Sequence, residues 1–309
     1  MTVVAVAGGT GGIGKTIIEQ LVLSGKHEVL VLSRHVPDHP SQDGAQLIRA
    51  DYGDVGSLTS LLELNNVNTV ISAIGMHSEE TEKAQLNLIE AAKQSEKTKR
   101  FIPSEYGACN TLELAKSEPY AMVWVRAAEA LKASGLQYTR FVNGFFMDYW
   151  GMPHIKSHMP SYIWVFDIAN SRAAIPGTGE NVISVTYTID VARFVVRSLE
   201  VDDWPEFSIV VGTDLTLLEA LAMIENVRRK TFSVTYDTEE DLQQNKATVW
   251  GGYDGVPTEE LAGLNAMFGR MAVGGHLMMP RENRLSDKHP DIRPLTVKEL
   301  LAKTWAKQP

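Results

Sequence analysis

Cysteine is nearly absent. Cys109 is the only one in 309 residues, so a disulfide framework is excluded. One unpaired thiol suits a reducing compartment. Positive charge is scarce as well: Lys+Arg 29 against Asp+Glu 38 leaves a formal net charge of -9 and a pI near 5.4. No run of five or more basic residues occurs. Such a chain is ill suited to gripping a phosphate backbone, so no nucleic-acid partner is expected. The densest basic spots, Lys97 with Lys99 and Arg100, and Arg228 to Lys230, fall near expected helix ends, where cations complement the helix dipole. No apolar stretch approaches the roughly 18 residues that span a bilayer. An apolar strand is expected from Thr2 onward, so no leader segment is expected ahead of the fold. No membrane partner is expected either, and the expected location is cytoplasmic. The 24 Gly and 13 Pro form no short repeat, which excludes collagen-like and low-complexity classes. With 44% apolar residues and a mean hydropathy of -0.11, disorder is excluded as the main character.

The length predicts roughly two domains. Over the first 145 residues strand and helix patterns alternate. Strands are expected at 2–7, 28–32, 46–50, 69–74, 100–103 and 138–142. Between them, Ile13, Ile17 and Leu21 recur at helical spacing before the stop signal Ser24-Gly25. Asp54 is placed to cap a short helix, and helices are expected over 79–95 and 119–134. Apolar strands alternating with helices imply a parallel sheet covered on both faces.

The character changes after Val142. Phe145, Phe146, Tyr149, Trp150, Tyr162, Trp164 and Phe166 crowd into 22 residues of a chain that is 8% aromatic. That density serves equally as core or as the lining of an apolar pocket. Further on, a helix is expected from Asp190 and strands at 207–211 and 232–236. Thr216 with Glu219, and Thr296 with Glu299, read as capping boxes. The Met-rich stretch (Met267, Met271, Met278, Met279) reads first as adaptable core.

Residues 8–16 read Gly-Gly-Thr-Gly-Gly-Ile-Gly-Lys-Thr, and two phosphate-binding motifs overlap there. Gly9 to Thr16 fits the P-loop pattern of nucleotide triphosphatases. Gly8, Gly11 and Gly14 fit the G-x-x-G-x-x-G spacing of short-chain dehydrogenase relatives. In both, a strand enters a helix through a turn without side chains, and backbone N–H groups with the helix dipole hold an anion. A P-loop enzyme also needs an acidic residue at the end of an apolar strand for magnesium. The strand over 69–74 ends in Ala73-Ile74-Gly75 without one, and Glu105 after the next strand is a weak substitute. A dinucleotide fold needs a ribose reader about 20 residues past the glycines, and Arg34 stands there. An Arg at that place accommodates a 2′-phosphate. The competing reading of Arg34 is a surface arginine beside Asp38. Asp51 then suits the adenine, and Ala73 and Ile74 suit the turn where the cofactor crosses the sheet. The Rossmann reading is favoured, with Gly8, Thr10, Gly11, Gly12, Ile13 and Gly14 around the pyrophosphate.

With these motifs the chain resembles the atypical short-chain dehydrogenases of the NmrA-like and isoflavone-reductase-like group, especially fungal members. The resemblance rests on the glycine turn, Arg34, the run Arg100-Phe-Ile-Pro-Ser-Glu-Tyr-Gly107, Ser134-Gly135-Leu136, Asn143-Gly144-Phe145-Phe146, Ala174-Ile-Pro-Gly177 and Tyr187-Thr-Ile-Asp-Val-Ala192. It implies a Rossmann-type doubly wound parallel sheet with a smaller, interleaved C-terminal α/β substrate domain. Residues 1–150, completed by about 182–213, are then expected to form the dinucleotide domain, and 151–181 with 214–309 the substrate domain. It implies NADP(H) as cofactor, and Phe145 is expected beside it; a bulky aromatic small-molecule substrate is expected to meet Trp124, His77, Phe146, Tyr149, Trp150 and Trp164.

Short-chain dehydrogenases usually carry a Ser and then Tyr-x-x-x-Lys. Ser104 and Tyr120 match the first two, but the lysine place holds Trp124. A free tyrosine has a pKa near 10, so about 0.1% is ionised at pH 7. Without a neighbouring cation Tyr120 is a poor base, although it can still donate a proton, as reduction requires. His77, Tyr106 and Glu105 are alternative acid–base groups. The favoured expectation is an NADP(H)-dependent reductase of a bulky aromatic or enone-type secondary metabolite. Its alternatives are a non-catalytic NADP(H)-binding regulator with a protein partner, and a non-redox isomerase or cyclase.

Overall fold

The computed structural model describes residues 1–36, 41–42, 44–251 and 256–308; Asp38 lies outside them. By internal packing the chain divides into two units, Met1–Val142 with Val191–Ser208, and Asn143–Asp190 with Ile209–Pro309.

The first unit is built on β1 (Thr2–Ala7), α1 (Gly12–Ser24), β2 (His27–Ser33), β3 (Ser41–Gln42), β4 (Ala45–Arg49), α2 (Val55–Leu64), β5 (Val67–Ser72), α3 (Glu79–Gln94), β6 (Arg100–Ile102), α4 (Leu112–Ser117), α5 (Met122–Lys132), β7 (Gln137–Tyr138) and β8 (Arg140–Val142). Val4 to Ala7 are fully buried, as a strand covered on both faces requires. Gly25, in the left-handed conformation at φ 64°, ends α1 after Ser24. Asp54 caps α2 by accepting from the Ser57 N–H at 3.1 Å.

The sheet order is β3-β4-β2-β1-β5-β6-β7. From β4 to β7 all neighbours are parallel. This is the doubly wound order in which strand succession reverses beside the first strand, here between β1 and β5. Ile89, Leu88 and Ala92 of α3, Leu131 of α5 and Leu58 and Leu62 of α2 cover the sheet residues Val70 and Phe101 in one buried cluster.

Two elements depart from the expected pattern. The strand expected over 138–142 is broken. Gln137–Tyr138 stays on β6, whereas β8 pairs with Phe207–Ile209. The Thr139 and Ser208 hydroxyls meet at 2.8 Å, and the Arg140 N–H donates to the Glu206 carbonyl at 2.8 Å, so the chain is drawn off the main sheet. The helix expected over 119–134 opens with a 3₁₀ turn at Pro119–Ala121 before α5. Pro119 has no N–H to lose in that first turn.

The second unit holds two three-stranded sheets. One joins Phe166–Asp167, Arg172–Pro176 and Ser233–Asp237; the other joins Phe145–Phe146, Val182–Thr186 and Thr213–Thr216. Both capping boxes form, at Thr216 with Glu219 and at Thr296 with Glu299. Its core is aromatic. Phe145 lies 4.7 Å from Trp164 and 5.5 Å from Phe268 by ring centroids, and Trp150 lies 5.2 Å from Phe166. Met271 and Met279 are buried. Among the described residues no helix is long and apolar enough to cross a membrane.

Candidate functional site

Where β1 hands over to α1, the turn lies against the exit of β5. Gly8 has φ +74°, and a Cβ there would stand 2.4 Å from the Ala73 carbonyl oxygen. At Gly14 a Cβ would stand 2.3 Å from the Gly8 carbonyl oxygen. Both contacts are with backbone, which has nowhere to move, so the turn closes only without these side chains. Ala73 completes the junction, its N–H donating to the Ala7 carbonyl at 2.8 Å. Gly11 is different: a Cβ there would meet nothing within 4 Å. It is the N-cap of α1, with extended backbone and no side-chain cap. Among the described residues, the first-turn N–H groups of Gly12, Ile13 and Gly14 therefore have no side-chain acceptor. A helix start of this kind receives a phosphate well.

A cleft of about 960 Å³ opens beside this turn at the C-terminal ends of β1, β2, β4 and β5. Gly8, Thr10, Arg34, Asp51 and Ile74 line it together, whereas Gly11, Gly12, Ile13, Gly14 and Ala73 are not among its lining residues. Its size lies within the range of small-molecule sites, and the crevice at the strand-order reversal is where doubly wound sheets bind ligands. One wall is fixed by Tyr52. Its hydroxyl donates to the Leu32 carbonyl at 3.0 Å, and its own carbonyl accepts from the Asn87 amide at 2.8 Å. Burial pushes the Tyr52 phenol far above its ordinary value, against the pull of Arg34.

His77, expected at the substrate, stands on the wall of this same cleft, folded over Gly75. Arg49, Lys83, Glu80, His35 and Asn87 line it too, and none of them was singled out from the sequence. Arg49 had a usable signal, two residues before Asp51 at the end of an apolar strand. Glu80 and Lys83 had none beyond their place in the first turns of α3. Arg34 pairs with Glu80 at 3.4 Å, both side chains mostly exposed. That geometry leaves the guanidinium free to exchange partners.

The second cluster holds Ser104, Tyr120 and Trp124. The Tyr120 and Trp124 rings meet edge to face, 5.8 Å apart at 88°. The Trp124 indole N–H donates to the Ser104 carbonyl at 2.8 Å, and the Ser104 N–H donates to Gln85 Oε1 at 2.8 Å. Two of the alternative acid–base groups, Glu105 and Tyr106, are buried. Glu105 is buried and receives the Arg140 guanidinium twice, at 2.6 and 2.8 Å, with the Asn110 N–H at 3.1 Å. Burial raises its carboxyl while Arg140 pulls it back. Tyr106 is buried, and burial drives its phenol far above the usual tyrosine value. With Glu105 engaged by Arg140 and β5 ending in Ser72, the carboxylate that a P-loop magnesium needs is missing from both strand ends.

The aromatic residues of the second unit are placed mainly as core. Trp150 is 1% exposed and Trp164 3%, and Phe146 is also buried. Phe145, expected beside the cofactor, sits at the centre of that ring cluster. Tyr149 is half-buried, against Phe145 and Tyr162.

A model of the NmrA-like family matches residues 1–290. Oxidoreductase BOA1 of Botryotinia fuckeliana is 39% identical over 213 residues, which cover 69% of this chain and 71% of that protein. Oxidoreductase swnN of Metarhizium robertsii is 31% identical over 272 residues, 80% of each chain. Among solved structures, AtPrR2 with NADP+ and (+)pinoresinol gives a TM-score of 0.74 at 22% identity, covering 97% of this chain and 98% of that one. Leucoanthocyanidin reductase with NADPH from Vitis vinifera gives 0.74 at 19%, covering 99% and 100%. At such identities the two structures establish a shared fold.

Proposed function

This chain belongs to the NmrA-like family, and on that premise we propose that it is an NADP(H)-dependent reductase of a flat, aromatic or enone-type small molecule. One observation carries the reading: the cleft at the strand-order reversal is lined by Gly8 and Thr10 of the glycine turn together with Arg34, and that turn runs directly into a helix start without a side-chain cap. Bound there, the nicotinamide cofactor supplies a hydride. The chain's own residues do the rest. The turn and the start of α1 hold the pyrophosphate, Arg34 takes the 2′-phosphate, and Asp51 faces the adenine. Tyr120 donates the proton that reduction consumes, with Ser104 beside the reacting group. The oxidoreductase names of the two fungal relatives support the reaction class.

A second reading is favoured by Trp124. The place of the expected lysine holds a side chain whose only N–H is committed to the Ser104 carbonyl. In that reading the protein binds the dinucleotide without turnover and signals its state to a protein partner.

NADPH titration followed by Trp fluorescence, then turnover with deuterated NADPH on a panel of aromatic enones, separates them. Label recovered in the product supports the reductase. Saturable binding without label transfer supports the sensor, and no binding of NADPH sinks both.

A further inference from the structure

The cleft contains a cation that the dinucleotide reading does not use. We infer that Arg49 is a second guanidinium of the 2′-phosphate subsite and a specificity-determining residue beside Arg34. The inference rests on the dinucleotide reading of the cleft.

Four observations carry it. Arg49 is the last residue of β4, in register with Ser33 of β2, so it ends one strand where the neighbouring strand passes into Arg34. Parallel neighbours lie about 4.8 Å apart, so two arginine side chains rooted there reach a common anion. Both line the same cleft. Between Arg34 and Arg49 the sequence contains no other Lys or Arg, so this loop offers no other permanent cation. Arg49 is exposed and makes no ion pair or side-chain hydrogen bond among the described residues, while Arg34 has Glu80.

The chemistry asks for such a pair. A phosphate monoester carries close to two negative charges at neutral pH and three acceptor oxygens. One guanidinium already facing a carboxylate meets that demand poorly. Two forks of fixed geometry meet it well. Arg34, Arg49 and Lys83 against Asp51 and Glu80 also make the cleft locally cationic in a chain of net charge -9. That local excess draws in a polyanionic ligand which the chain as a whole repels. The bland alternative is a solvated arginine at a strand end.

The test compares 2′,5′-ADP with 5′-AMP, and NADPH with NADH, by calorimetry on the parent, Arg34→Gln, Arg49→Gln and Arg49→Lys. Arg49→Gln is expected to weaken 2′,5′-ADP and NADPH about tenfold or more, the scale of a lost charge-assisted contact. It should leave 5′-AMP and NADH within about twofold, and Arg49→Lys should recover part of the loss. Arg49 is exposed, so the unfolding midpoint should not move. If Arg49→Gln binds 2′,5′-ADP as the parent does while Arg34→Gln does not, Arg49 is a bystander and the inference is overturned. Equal losses for phosphorylated and unphosphorylated ligands overturn it as well. A parent that binds none of the four ligands removes the dinucleotide reading itself, and with it this inference.

Discussion

Trp124 clamps Ser104: its indole N–H donates to the Ser104 carbonyl at 2.8 Å, across 20 residues of sequence. On the other side of the same residue, Gln85 Oε1 accepts the Ser104 N–H. The side chain that stands where a lysine was expected therefore holds the backbone of the loop after β6. Trp124→Phe keeps a ring for the edge contact with Tyr120 and deletes the one donor. The expected cost is about 1–2 kcal/mol in urea unfolding, the range for a hydrogen bond lost at a largely buried acceptor. Affinity for 2′,5′-ADP should be unchanged, because Trp124 is not among the lining residues of the dinucleotide cleft. An unaltered unfolding curve would show the clamp to be idle.

The glycine turn separates stability from binding. Gly8→Ala drives a methyl group onto the Ala73 carbonyl at a positive φ, so a loss of more than about 1 kcal/mol is expected. Gly11→Ala meets no protein atom within 4 Å at an extended backbone, and its unfolding midpoint should match the parent. NADPH affinity should nonetheless fall at least tenfold in Gly11→Ala, because the methyl group occupies the approach to the helix start. A Gly11→Ala protein that binds NADPH normally would move the pyrophosphate elsewhere.

Glu105 and Arg140 are 1% and 4% exposed. Arg140 also donates to the Asn110 carbonyl and lies 4.5 Å from the Phe207 ring. Glu105→Gln preserves shape and leaves the buried guanidinium only the exposed Glu206 carboxylate, at 3.2 Å, as counter-charge. A loss of about 3–5 kcal/mol is expected, whereas Glu105→Leu with Arg140→Met should lose clearly less than either single change. Thermal unfolding of Glu105→Gln, the two single changes and the double variant decides; equal losses would mean that packing rather than charge pairing is at stake.

Glu299 reports on pH. Its carboxylate accepts from the Thr296 N–H and hydroxyl at 3.0 and 2.7 Å and from Arg293 at 2.6 Å. The Thr296 bonds first, and then Arg293, hold it down to about 2. The folded value lies below the unfolded one. The stabilisation is therefore complete above about pH 4.5 and disappears as pH falls toward 2. Carboxyl-detected NMR should place its midpoint near 2, and amide protection in the first turn of Val297–Thr304 should fall across that window. A midpoint near 4.3 would dissolve the box.

Much of the secondary structure in both units is readable from sequence because its signals are local. Asp54, Thr216 and Thr296 cap helices through residues three positions on, and Gly25 ends α1 by its own φ. The glycine turn and Arg34 announce a dinucleotide cleft because strand–turn–helix geometry is set within some 30 residues. The aromatic run after Val142 was legible only as apolar mass. Whether it lines a pocket or fills a core depends on partners such as Phe268, more than a hundred residues away, and the structure places most of it in the core. Likewise Glu105 reads as a free carboxylate until Arg140 arrives from another strand.

Local periodicity, caps and turn chemistry thus determined the order of strands and helices and the close glycine turn between β1 and α1, because each depends on neighbours a few bonds away. Which charges are neutralised, which rings are buried and that Arg49 comes to stand beside Arg34 were decided by tertiary structure alone, because only folding brings distant side chains within the few ångströms over which contacts and charge pairs act.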